Sequence, residues 1–240
     1  MTLAQRIAAV RANIDAAARE VGRDPGEITL VAATKVQTSQ TIREAIAAGI
    51  TVCGENRVQE MTAHLDDNAY AGAALHFIGH LQTNKVKYVV GRVALIESVD
   101  SERLLEAIEE RAARLDLIQD ILLEVNVGGE ASKSGAAPEE LPRLAALAGE
   151  LPHIRLRGLM SIPPAAAVPG ANRKFFAQTR QLYVDIRQQM DHNVTTMDCL
   201  SMGMSGDYED AVREGATLVR VGTALFGPRP PVGAAAKDKI

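Results

Sequence analysis

Two periods alternate along the chain. Short runs of roughly four to eight mostly apolar residues recur, and longer amphipathic segments separate them. The runs read ITLVAAT, ITVCG, HFIG, ALIESV, DILLEVNV, LRGLMSI, MDCLSMG and TLVRVGT. They are short, rich in β-branched residues and bounded by turn formers, which predicts strands. The segments between them include SERLLEAIEERAARL, PEELPRLAALAGEL and ANRKFFAQTRQLYVDIRQQM, with apolar residues every three or four positions, and these predict helices. Ser101 precedes one such segment; Asp207 precedes YEDAVREG, which Gly215 closes, as helix boundaries require. Leu3, Ile7, Val10, Ile14 and Val21 keep helical spacing ahead of the first run, and Gly22 and Pro25 end that pattern. An extra N-terminal helix therefore precedes the repeat.

Eight strand-then-helix units predict a closed parallel (β/α)8 barrel of the TIM type, because parallel strands need crossover connections and eight of them close. An open doubly wound sheet would carry a glycine-rich first turn, whereas this first turn reads TKVQTSQ. A length of 240 residues suits one such barrel, assigned to residues 1–227. The tail, residues 228–240, has too little apolar content to pack and is expected to be loosely held. The Pro/Ala/Gly-rich stretch 163–171 reads as an irregular loop after the sixth strand.

Composition narrows the class. A hydrophobic share of 47% supports a large core, and a formal net charge of −4 argues against nucleic-acid binding. Cys53 and Cys199 lie in apolar runs and read as buried, reduced thiols. No signal-peptide core and no apolar run near the ~20 residues of a membrane helix is present, so a cytoplasmic protein without a membrane partner is expected. His64, His76, His153 and His192 show no metal-ligand spacing, so no metal is expected.

Candidate chemistry collects at the strands' carboxyl ends, where barrels of this type place their sites, often with phosphate after strands seven and eight. After strand seven comes LSMGMSGDYEDA, and after strand eight RVGTALFG. Both are glycine-bearing turns whose backbone N–H groups favour an anion, with Ser201, Ser205 and Thr223 as hydroxyl donors; two ordinary polar loops are the alternative. On strand eight Val219 and Val221 share one face, so Arg220 faces the barrel interior with Leu218 and Gly222. An inward guanidinium needs acceptors, either a ligand or a carboxylate such as Asp198 or Glu124. Thr29, Val31, Ala33 and Lys35 share a face of strand one, which neighbours strand eight in a closed barrel. Lys35 either snorkels to solvent or sits in a pocket as an imine-forming amine. A small phosphorylated aldehyde with a ring nitrogen satisfies lysine, turns and arginine together, and pyridoxal 5′-phosphate (PLP) is such a molecule.

The segments VAATK, GENRVQE, HFIGHLQTNK, VNVGGEASKSG, RGLMSIPP, LSMGMSGDYEDAV and LVRVGTALFG span residues 30–227. In that order they resemble a single-barrel family of pyridoxal phosphate homeostasis proteins related to the N-terminal domain of alanine racemases. The resemblance implies the fold type III PLP barrel, with Lys35 as the Schiff-base lysine. It implies Ser201, Gly222 and Thr223 as phosphate-holding positions, Ser205 beside them, and Arg220 facing the pyridine nitrogen. Asn56 resembles a residue lining the pocket, with a helix cap as its other reading. The implied role is a monomeric, non-catalytic PLP carrier in intracellular vitamin B6 homeostasis, with PLP-dependent apo-enzymes as recipients.

A PLP-dependent amino-acid racemase is the alternative, and a Schiff-base aldolase of a phosphosugar a third. A racemase needs an acid/base on the opposite face of the cofactor. Tyr70, Tyr88 and Tyr183 fall in helical patterns, and Tyr208 reads as a helix-start residue. Two departures from the family stand out: Leu75 replaces a tryptophan common before HFIG, and VQTSQ after the lysine lacks a common proline. His80 is expected to be structural, and Lys133 to be solvent-exposed, with an accessory anion site as its other use.

Overall fold

The computed structural model describes residues 1–130, 133–165, 168–190 and 197–228. Eight strands form a closed parallel barrel in sequence order: β1 (Thr29–Ala33), β2 (Val52–Glu55), β3 (Ala74–Phe77), β4 (Leu95–Val99), β5 (Gln119–Val125), β6 (Ile154–Ser161), β7 (Cys199–Ser201) and β8 (Leu218–Val221). Closure pairs β1 with β8 in a register that sets Val31 against Arg220. Helices α1 (Leu3–Glu20), α2 (Ser39–Ala47), α3 (Val58–Asp66), α4 (Glu102–Arg114), α5 (Leu141–Glu150), α6 (Arg173–Gln189), α7 (Tyr208–Arg213) and α8 (Thr223–Phe226) supply the extra N-terminal helix, six of the seven connections between strands, and a short helix after β8. The third crossover departs from the expected helix. It is a 3-10 segment, Thr83–Tyr88, in a valine-rich stretch where β-branched side chains disfavour a long α-helix.

Helix α1 starts at a capping box: Thr2 Oγ1 accepts the Gln5 amide at 3.2 Å, and Gln5 Oε1 accepts the Thr2 amide at 2.9 Å. It buries Ile7, Val10, Ile14, Ala17 and Ala18. Val21, expected on that face, is the C-cap and stands 42% exposed, because Gly22 turns the chain at φ +73°. Arg6 donates to the Leu225 carbonyl, and Arg23 to the Val212 and Ala216 carbonyls at 2.8 and 2.9 Å, so α1 fastens the end of the barrel sequence to its start.

Strand alternation sorts the core into two compartments. Outward residues such as Leu30, Ala32, Ile96, Ile121, Leu123, Val125, Val219 and Val221 join the helices in one apolar shell. Inside the barrel, Leu95, Leu122 and Met160 form a small separate cluster with Ile162 and Cys199 against it. Buried polar residues share the interior: His76, Glu97, Glu124, Ser201 and Arg220. Cys53 is buried and Cys199 half-buried, both as free thiols.

Two capping expectations change in detail. Ser101 and Asp207 occupy N-cap positions, but neither side chain makes the cap bond. Asp207 instead accepts the Met204 amide and the Asn172 side-chain amide, each at 2.7 Å, and so braces the β7–α7 turn. Residues 229–240 of the tail, Ala166 and Ala167 of the proline-rich loop, and His192 lie outside the described residues. No described helix is long and apolar enough to cross a membrane.

Candidate functional site at the barrel mouth

A charged network fills the upper interior. Glu97 on β4 is fully buried; its Oε1 lies 2.7 Å from His76 Nδ1, and its Oε2 accepts the Ser201 hydroxyl at 2.6 Å. Arg220 on β8 donates to the Ser201 oxygen and, at 2.9 Å, to the Ser161 carbonyl, with Glu97 Oε2 4.0 Å away. Burial opposes the Glu97 charge, but His76, Arg220 and Ser201 outweigh it and hold the carboxyl below its ordinary range. Burial also lowers Arg220, against Glu97, Glu124 and Asp207, and a guanidinium so buffered stays charged.

This corrects the expected partner. Asp198 belongs to Arg157, which grips it at 2.8 and 2.6 Å. Glu124 acts on Arg220 only through space. Glu124 as a residue is 4% exposed, its carboxyl meets no hydrogen-bond donor among the described residues, and the group is pushed up to about 7 by burial and then by Asp100. Glu97 was missed. Its signal was an acidic residue on the inward face of a strand, two positions after Leu95.

Above the network lies a cavity of about 390 Å³, lined by Ala33, Lys35, Asn56, Ile78, Ile162, Met204, Ser205, Gly206, Arg220, Gly222 and Thr223. That volume is within the range of small-ligand sites. The structure thus brings Lys35, Asn56, Ser205, Arg220, Gly222 and Thr223 to one wall, and leaves Ser201 beneath it, between Glu97 and Arg220. The Ser205 hydroxyl oxygen accepts the amides of Gly222 and Ala224 at 3.1 and 3.2 Å. Two N–H groups of the β8–α8 turn thus converge on one oxygen, the arrangement an anionic oxygen would use. The Arg220 amide donates to the Gly203 carbonyl at 3.0 Å, tying this turn to the one after β7. Gly203 permits that approach: its φ is +90°, and a Cβ there would stand 2.4 Å from the Ala211 Cβ.

Asn56 is not the cap of α3, since Arg57 holds the N-cap position. Its Oδ1 is buried without a hydrogen-bond partner among the described residues and is thus an acceptor that a ligand donor could satisfy. Gly79 packs on its backbone so closely that a Cβ would fall 2.2 Å from the Asn56 carbonyl oxygen, which links the GEN and HFIGH segments mechanically.

Other sequence candidates lie off the cavity wall. His80 is exposed, its Nδ1 3.4 Å from Ser134 Oγ and 3.8 Å from Asp100. Lys133, expected in solvent, is half-buried and reaches the Pro163 carbonyl at 3.1 Å and Glu130 at 3.3 Å. Tyr70 follows α3 rather than lying in it and donates to Glu55 at 2.9 Å; Tyr183 donates to the Met197 carbonyl, and Tyr208 accepts from Asn13.

Residues 6–230 match the alanine racemase N-terminal domain family. The chain belongs to that family. A pyridoxal phosphate homeostasis protein of Aquifex aeolicus is 43% identical over 229 residues, covering 95% of this chain and 99% of the relative. One of Pseudomonas aeruginosa is 44% identical, covering 95% and 96%. Among solved structures, PipY of Synechococcus elongatus with PLP bound superposes with a TM-score of 0.82 at 34% identity, covering 94% of this chain and all of that one. Alanine racemase of Corynebacterium glutamicum shares the fold, with a TM-score of 0.69 at 15% identity, covering 96% of this chain and 63% of that one.

Proposed function

We propose that the protein binds PLP at this cavity and holds it, tethered as a Schiff base to Lys35, as an exchangeable intracellular store. The observation that carries the reading is the convergence of Lys35, Arg220 and the Ser205-centred amides on one cavity wall. The names of the Aquifex and Pseudomonas relatives and the PLP bound to PipY support it.

When bound, the cofactor supplies an aldehyde and an electron-withdrawing ring. The chain's residues then divide the work. The hydroxyls of Ser205 and Thr223 take the phosphate, and the Gly222 and Ala224 amides, which donate to the Ser205 oxygen here, hold that hydroxyl in place or pass to the phosphate when it binds. Arg220 faces the pyridine nitrogen, and as a permanent cation it disfavours protonation there and weakens the ring as an electron sink. Ser201 acts one step back, fixing Arg220 rather than touching the phosphate. Asn56 Oδ1 accepts a donor from the bound molecule. A tether that an acceptor amine can displace suits delivery to PLP-dependent apo-enzymes better than turnover.

Glu124, a carboxyl near neutrality close to Arg220, is the group an amino-acid racemase would exploit as acid or base. A spectral titration with PLP, followed by assays with single amino-acid enantiomers, separates the two. The carrier reading expects a protonated-imine band that Lys35→Ala lacks, and no inversion of any amino acid. Sustained inversion would establish the racemase, and absence of the band would end the PLP assignment.

A further inference from the structure

The lysine sits in an unusual turn. Residues 34–37 close with the Gln37 amide on the Thr34 carbonyl at 3.0 Å, and Val36 in its third position has φ +59°. Turns with positive φ there favour glycine or asparagine, and a β-branched residue in the left-handed region is a conformational outlier. Packing does not explain it, because Val36 is 49% exposed. Strain of this kind persists only where neighbouring contacts fix it.

Those contacts are visible on both sides of Lys35. Before it, Thr34 donates its amide to the Gly54 carbonyl at 2.9 Å and its hydroxyl to Glu55 Oε1 at 2.6 Å. Tyr70 and His64 brace the same Glu55 oxygen at 2.9 and 3.2 Å. After it, the Val36 amide donates to Glu60 Oε2 at 3.0 Å, while Arg57 donates to Glu60 Oε1 at 3.1 Å. The Thr34 brace fixes where the strand ends but leaves the next peptide free to rotate. The Glu60 bond reaches that peptide from α3 and selects its orientation.

We propose that Glu60 is a positioning residue for Lys35: by accepting the Val36 amide it holds the left-handed turn that keeps the lysine on the cavity wall. The inference rests on the assignment of Lys35 as the tether. Loss of one such hydrogen bond corresponds to about 1–1.5 kcal/mol, or roughly tenfold. Glu60→Ala therefore speeds exchange of the Val36 amide and weakens PLP binding by roughly tenfold each, while the melting temperature moves little. Glu60→Gln, whose amide oxygen still accepts, stays close to wild type in both. Val36→Gly in the Glu60→Ala background recovers most of the binding, since glycine adopts the turn without strain.

The experiment measures Val36 amide exchange by NMR and PLP binding by absorbance across these four proteins. Unchanged exchange and binding in Glu60→Ala, or a Glu60→Gln protein as weak as Glu60→Ala, would overturn the proposal. Wild-type protein that forms no adduct would instead overturn the PLP assignment, and the exchange data would still decide whether Glu60 holds the turn.

Discussion

Replacing Glu124 by glutamine should stabilise the protein, and do so increasingly as pH rises. The residue is 4% exposed, and its carboxyl lacks a hydrogen-bond donor among the described residues and is pushed up from the ordinary glutamate value of 4.5 to about 7. The folded state therefore binds this proton more tightly than the unfolded chain does. Stability contributed by the site is greatest in acid and declines as pH climbs from 4.5 through 7, reaching its full cost above that. At about 1.4 kcal/mol per tenfold change in proton affinity, that cost is about 3 kcal/mol near pH 8.5 and about 1 kcal/mol near pH 5. Glutamine has no charge to bury at either pH, and other titrations cancel between the two proteins. Melting curves should then place Glu124→Gln about 6–12 °C above wild type at the alkaline pH and only slightly above it in acid. A pH-independent gap, or a variant less stable at pH 8.5, would refute the reasoning and mean that Glu124 is ionised and usefully paired with Arg220.

Other perturbations test other parts of the site. Glu97→Gln leaves Arg220 without its nearest buried anion and should cost about 3–5 kcal/mol in urea unfolding. Because the folded state holds Glu97 below its ordinary range, that gap should shrink as pH falls through the folded value; a gap constant in acid would contradict the network. Gly79→Ala drives a methyl into the Asn56 backbone, with expected loss of at least about 2 kcal/mol by thermal melting and weakened PLP binding; a neutral result would show that the contact relaxes freely. Ser205→Ala should weaken PLP more than pyridoxal, which lacks the phosphate, whereas Ser201→Ala should weaken both alike through Arg220. Equal effects from the two serines would reject their assigned division of work.

Much of this was legible because barrel strands and helices announce themselves by period. All eight runs became strands, and the alternation around Arg220 and Lys35 placed both facing the mouth. The third connection misled because valines at helical spacing fit a 3-10 turn as well as an α-helix. The two serines were harder: β7 ends at Ser201, so four residues of turn decide which hydroxyl reaches the cavity, and no periodicity governs them. Glu97 was hidden because its partners come from β3, β7 and β8, far away in sequence. Val36 was the least legible, since nothing about a valine suggests a left-handed turn.

The most direct test of the central claim is borohydride reduction of the PLP-mixed protein, followed by peptide mass mapping. The account predicts one stable adduct, on Lys35, formed without any added amino acid. Labelling spread over surface lysines, or none at all, would contradict it.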